Sequence, residues 1–180
     1  MIAPVVSHTH YKYFVTFIDD FSRFTWVYFR WAKVEVFLVF KRFFALLETQ
    51  FFVSIKVLRF DSSGEYMSNE FQDFLQSKGI ISQCSCPSTP QQNGVTGRKN
   101  HHLFDVVRTL LLESFIPPHF WCETLSTLVH LINRLPSPTL NNVSLFFKLF
   151  GNSPLYFNLY AFGCVCFMHL PAHERHKLTA

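Results

Sequence analysis

The sequence predicts an α/β protein with a mixed sheet flanked by helices, and three observations carry that prediction. Two aromatic, β-branched runs, Tyr11–Ile18 (YKYFVTFI) and Phe24–Phe29 (FTWVYF), lie on either side of the polar segment DDFSR. From Lys33 onward the apolar spacing changes to three and four residues, the period of a helix. Short strand-like and longer helix-like segments then alternate, the order that places helices on a sheet. The chain has 180 residues, 49% hydrophobic and 16% charged, with a formal net charge of +4. That is one domain's length with a sizeable core, and too apolar for disorder to be the main state. The slight positive excess permits an acidic partner without requiring one. Phenylalanine is over-used, at 23 residues.

The two aromatic runs read as antiparallel strands joined by a short polar turn. Lys33–Glu48 reads as an amphipathic helix, because Phe37, Phe40, Phe44 and Leu47 share one face. Ile55–Phe60 (IKVLRF) is a third strand, stopped by the turn signature Asp61-Ser62-Ser63-Gly64. Ser68 is placed to cap a short helix bearing Phe71, Phe74 and Leu75, with Gly79 closing it. Ile80–Cys84 is a short strand, and Pro87–Asn93 (PSTPQQN) is a polar loop. A long helix spans about Gly94 to Ser114 with Leu103, Val106, Val107, Leu110 and Leu111 as its stripe. Pro117 and Pro118 open a further helix, and Pro136 lies just past its end. A short helix around Leu145–Phe150 and a strand-like stretch, Leu155–Leu170, complete the chain.

Several classes are excluded or disfavoured. The start, MIAPVVSHTH, lacks a basic region, so no signal peptide is expected and the location is nuclear or cytoplasmic. Leu155–Leu170 carries no Asp, Glu, Lys or Arg, but is shorter than the roughly 20 residues of a spanning helix, and no membrane partner is expected. Cys84/Cys86 and Cys164/Cys166 are C-x-C pairs without zinc spacing, and they read as reduced thiols.

Candidate chemistry begins with Asp61, at a strand end, where open α/β sheets form their ligand crevices. A carboxylate there can hold Mg²⁺, a hard cation that takes oxygen ligands; equally, Asp is common at the start of a turn. Asp19 and Asp20 point to opposite sides if the strand continues through them, and a turn in which Asp20 pairs with Arg23 explains them as well. Gln92, Asn93, Arg98 and Lys99 set amides and cations around a helix N-terminus. That arrangement suits phosphate, though an ordinary solvated helix start accounts for it too. His101 and His102 are adjacent, diverge on a helix and make a poor metal pair.

In order along the chain, YFVTFIDDFSRFTWVYF, KVLRFDSSGEYMSNEF, PSTPQQNGVTGRKN, FWCETLSTLVHLINRLPSPTLNN, FGCVCF and HERHKL resemble the integrase core of copia-type LTR retrotransposons. The similarity runs from about Pro4 to Leu178. It divides the chain into a catalytic core, residues 1–135, truncated at its N-terminus, and a C-terminal extension, residues 136–180. The resemblance implies an RNase H-like fold and a polynucleotidyl transferase whose Asp, Asp and Glu hold two Mg²⁺ or Mn²⁺ ions. Two such ions steady the attacking and leaving oxygens of an in-line displacement. It implies DNA as partner, both element ends and target DNA, a homo-oligomer, and no small-molecule substrate.

Carried over by position, Asp61 matches the family's second Asp, as catalytic residue and metal ligand, with Ser63 where a Gly is usual. Gly97 occupies the position of the family's Glu in QQNGVTGRKN. Asp19 and Asp20 match a DDYSR segment outside the triad. The first Asp belongs to a strand that falls before Met1, with Ala3–Val6 at its trailing end, so the resemblance implies that the first central strand is largely missing. The expectation is a sheet in which residues 1–6 replace part of that strand or the two halves pair badly. Trp31 and Phe60 stand where the family usually has polar residues, and together with the excess Phe they fit drift in an unused copy. Asp61 alone does not hold Mg²⁺ at useful occupancy, and Glu65 matches a structural Glu rather than a ligand. Integrase descent without catalysis is therefore expected. Ligands borrowed from a partner subunit, a non-catalytic nucleic-acid-binding module, and a chain without a stable fold are the alternatives.

Overall fold

The computed structural model describes residues 5–61, 64–86, 93–157 and 159–164. The elements run β1 (Tyr13–Ile18), β2 (Thr25–Arg30), α1 (Val36–Leu46), β3 (Val57–Phe60), α2 (Asn69–Ser77), β4 (Ile81–Cys84), α3 (Gly94–Glu113), α4 (Trp121–Arg134), β5 (Pro136–Ser137), β6 (Val143–Ser144) and α5 (Leu145–Phe150). The predicted hairpin is present, with Tyr13 opposite Arg30 and Ile18 opposite Thr25. Asp19 makes its turn: one carboxylate oxygen accepts from the Ser22 amide at 2.7 Å and the Ser22 hydroxyl at 2.6 Å. Asp20 pairs with Arg23, the plainer of its two readings.

Successive residues of a strand face opposite ways, and β1 is apolar in both directions. Val15 and Phe17 enter a core with Val36, Phe40 and Phe43 of α1, Phe71 and Leu75 of α2, and Phe60 of β3. Phe14, on the other face, enters a second core with Leu103 and Val107 of α3 and Trp121 and Leu125 of α4. The hairpin is thus the middle layer between two pairs of helices. Much of the phenylalanine excess is absorbed in the first core, where Phe17 stacks on Phe43 with ring centroids 4.3 Å apart.

The helix predicted over Lys33–Glu48 begins as a 3₁₀ turn, Lys33–Glu35, and widens after α1 into a π turn, Leu47–Phe51. Widening adds a residue to the turn, and Phe51 then reaches Trp26 and Phe150. Glu35 caps the entry by accepting the Trp31 and Ala32 amides. At α2, the Ser68 hydroxyl accepts the Phe71 amide at 3.4 Å. Gly79 follows at φ +66°, a conformation that suits glycine.

β3 and β4 form a parallel pair, Val57 opposite Ile81 and Phe60 opposite Cys84. This pair and the hairpin are separate sheets, and β5 with β6 makes a third small one. Read as one sheet from the sequence, they are instead two halves joined through side chains, with Phe60 and Ile80 in the same core as Val15 and Phe17. Main-chain pairing needs a neighbour within about 4.8 Å, and no strand among the described residues bridges β1 and β3. Val5 and Val6 are exposed and lie outside any strand; the rest of the segment expected to replace the missing strand, residues 1–4, lies outside the described residues.

The stretch predicted as a strand from Leu155 contains turns over residues 155–157 and 159–164, and its remainder lies outside the described residues. Aromatic composition suggested a strand there, but the Leu159 amide turns back to the Tyr156 carbonyl. The Tyr156 hydroxyl bonds the Arg134 carbonyl at 2.9 Å. No helix among the described residues is long and apolar enough to cross a membrane. Cys84, Cys122 and Cys164 are free thiols.

α4 is fixed to the outer edge of β2 by one side chain. Buried Asn133 accepts the Thr25 amide at 3.0 Å and donates to the Thr25 carbonyl at 2.8 Å, standing in for a strand neighbour. Replacing it by alanine orphans two buried main-chain groups. Asn133→Ala is expected to lower the unfolding free energy by about 2 kcal/mol, read from the urea midpoint at unchanged slope.

Candidate active site

β3 ends in a buried residue followed by an exposed one, Phe60 then Asp61. The chain beyond them is held at three places. The Tyr66 ring stacks on Phe60, centroids 5.2 Å apart. The Gln72 side-chain amide donates to the Tyr66 carbonyl at 2.8 Å. Glu65 accepts from the Arg30 guanidinium at 3.0 Å. Arg30 ends β2, is only 2% exposed, and also donates to the Lys33 carbonyl at 2.7 Å. Its Nε has no partner. Burial pushes the Tyr66 hydroxyl up to about 12, with Asp61 and Glu65 adding to the rise and Arg30 opposing it. The end of β2 and the end of β3 therefore share one charged patch, in which Asp61 and Glu65 lie near the same phenol.

The second part of the predicted site is the start of α3. Asn100 is buried and accepts the Thr16 hydroxyl of β1 at 2.9 Å. It heads a buried row with Leu103, Val107 and Leu111. Gly97 is one turn earlier on that same side, because residues three apart share a helix face. Among the described residues, a first side-chain carbon at position 97 meets no atom within 4 Å apart from its chain neighbours and the nearby backbone of its own helix. Asn93 stands at the helix entry without a capping side-chain bond. Arg98 folds back over the first turn, its Nη1 2.9 Å from where a Cβ on Gly94 would lie. Burial draws the Lys99 ammonium below its ordinary pKa. Gln92 lies outside the described residues, and His101 and His102 are exposed.

Four carboxylates of the hairpin, of the entry to α1 and of the turn after β3 are already engaged. Asp19 holds its turn, Asp20 faces Arg23 and Arg59, Glu35 caps a helix and Glu65 meets Arg30. Among the described residues no three His, Cys, Asp or Glu side chains gather as a metal group. A two-ion centre needs several converging carboxylates, and this donor set does not fit one. The sequence reading missed Arg30 and Tyr66. The signal for Arg30 was present as a lone cation ending the apolar run TWVYFR, but its partner is 35 residues away.

Residues 2–90 match the family model described as integrase core domain. These residues belong to the integrase core family. The chain is 39% identical over 176 residues to the retrovirus-related Pol polyprotein from transposon RE1 of Arabidopsis thaliana, covering 98% of this chain and 12% of the polyprotein. It is 43% identical over 172 residues to the corresponding polyprotein from transposon TNT 1-94 of Nicotiana tabacum, covering 93% of this chain and 13% of that one. The integrase core thus spans about an eighth of the length of these relatives. Among solved structures it is similar to the HTLV-2 integrase catalytic core domain in complex with magnesium, a trimeric form. The TM-score is 0.60 at 18% identity, over 79% of this chain and 88% of that one. It is also similar to the simian T-cell lymphotropic virus intasome in complex with the PP2A regulatory subunit B56 gamma. There the TM-score is 0.67 at 18% identity, over 95% and 58% of the two chains. The fold is therefore the RNase H-like fold of integrase cores, with its sheet in two parts.

Arg30→Met in this integrase core leaves Glu65 without its cation and is expected to remove about 3 kcal/mol of stability. The double variant Arg30→Met/Glu65→Leu, which removes both charges, is expected within about 1 kcal/mol of the parent. Urea unfolding of the two proteins separates these outcomes.

Proposed function

We propose that this chain is the integrase core of a copia-type retrotransposon polyprotein, and that this copy does not catalyse DNA joining. Residues 1–135 correspond to the core and residues 136–180 to its extension. The family reaction is 3′-end processing and strand transfer on DNA, with Mg²⁺ or Mn²⁺ held by an acidic triad. The observation that carries the reading is position 97. It lies on the β1-facing side of α3, a first side-chain carbon there meets no neighbouring element, and it offers no donor atom. Glu65 is turned to Arg30, so within residues 61–97 Asp61 is left without a carboxylate at the family's Glu position, and it does not anchor two ions by itself. DNA and further copies of the chain are the proposed partners, in keeping with the intasome and the trimer formed by the two structural neighbours.

The deciding experiment is strand joining on element-end DNA with Mg²⁺ or Mn²⁺. The chain is expected to give no product above the protein-free background, and Asp61→Asn is expected to change nothing. Joining by the parent chain that Asp61→Asn abolishes would overturn the proposal and favour ligands contributed by another subunit.

A second reading, a non-catalytic nucleic-acid module, is supported by Asn93 at the entry of α3 and by Arg98 and Lys99 just past its first turn. It predicts that log Kobs for duplex DNA falls linearly with log salt. Arg98→Gln/Lys99→Gln should then lower that slope by about 0.9 for each phosphate no longer neutralised. A salt-independent affinity removes this reading.

A further inference from the structure

β4 is an edge strand left open on its outer side. It pairs only with β3, and all four of its residues, Ile81–Cys84, are exposed. In a parallel pair, alternate residues turn their main-chain groups to the neighbour. The Ile81 amide donates to the Lys56 carbonyl and the Ser85 amide to the Phe60 carbonyl, each at 3.0 Å. Ser82 and Cys84 therefore turn their amides and carbonyls outward, and among the described residues no hydrogen bond reaches them. The outer edge of β2 is closed at Thr25 by Asn133; β4 has no such stopper.

Open edges are a template for another strand, and a charge, a proline or a bulge ordinarily protects them. Ile80–Cys86 contains no charged residue and no proline. The ladder runs without a bulge from Val57 opposite Ile81 to Phe60 opposite Cys84, and Ile81 is 61% exposed. Shortness is the one safeguard this edge has. The cations around it stand back on β3 or turn away. Arg59 donates to the Gln83 side chain at 3.1 Å and faces Asp20. The Lys78 ammonium lies over the Phe44 ring, 5.2 Å from its centroid.

An uncharged edge draws neither a polyanion nor an acidic peptide, but it complements a copy of itself. Its outward groups sit symmetrically about Gln83. An antiparallel second β4, with Gln83 opposite the partner's Gln83, sets Ser82 against the partner's Cys84 and closes four main-chain hydrogen bonds. Arg59 and its equivalent are then three strand spacings apart, about 14 Å, and Lys56 and its equivalent about 20 Å or more. Both separations exceed the screening length of roughly 8 Å, so no like charges oppose each other.

We propose that two copies of this chain associate through their β4 edges, antiparallel about a two-fold axis at Gln83, joining two β3–β4 pairs into one four-stranded sheet. The inference rests on further copies being partners of this chain, and it names the surface they use. So small an interface predicts a weak dimer, with a Kd on the order of 100 μM. The test is sedimentation equilibrium of the full chain across that range, about 10 to 500 μM. Gln83 is exposed, so a charge there leaves the fold intact. Gln83→Lys and Gln83→Glu each set like charges face to face at the axis, and each is expected to weaken self-association about tenfold. An equimolar mixture of the two variants opposes unlike charges and is expected to associate at least as well as the parent. A parent that stays monomeric throughout overturns the proposal. Self-association that either variant retains in full also overturns it, and leaves copies as partners through another face. A mixture no better than its components overturns it too, because the charge then acts within one chain and not across an axis.

Discussion

Strand β1 has no face to give to water, and the rest of the fold follows from that constraint. Val15 and Phe17 require one apolar layer and Phe14 requires another, so helices must pack on both sides. Thr16 shares its face with Phe14, and a hydroxyl pressed against a helix needs a partner. Asn100 supplies that partner and fixes where α3 begins. The position of residue 97 is thereby a by-product of packing. The same logic operates at the far edge of the hairpin, where Asn133 gives Thr25 the bonds that a further strand would have given.

The Arg30–Glu65 pair has a different character. Taking a guanidinium and a carboxylate out of water offsets much of their attraction, so such pairs contribute more to placing segments than to net stability. Here the segments are the end of β2 and the turn after Asp61, which are 35 residues apart along the chain between the paired residues. The pair ties together two sheets that share no main-chain bond. It also engages Glu65, the carboxylate closest in sequence to Asp61. Side chains thus hold this integrase core together where a continuous sheet would otherwise do so.

Local features were legible in the sequence because their causes are local. The hairpin followed from two β-branched aromatic runs, α2 from Ser68 and Gly79, and α3 from a stripe with helical spacing. Asp61 was placed correctly at a strand end for the same reason. Features that depend on distant partners were hidden. Nothing near Arg30 in the sequence points to Glu65, and nothing near Leu47 announces the π turn that carries Phe51 to Phe150. The separation of the sheet into two halves followed only from the resemblance, since local patterning reads each strand equally well in one sheet. The Leu155 stretch misled because an aromatic run suits a strand, whereas here Tyr156 commits its hydroxyl to α4.

The openness around the backbone of Gly97 has a consequence for the helix that carries it. At this position the neighbours have not closed in. Packing therefore sets no barrier to a first side-chain carbon there, so a change from Gly97 to alanine would act on the backbone of α3 alone.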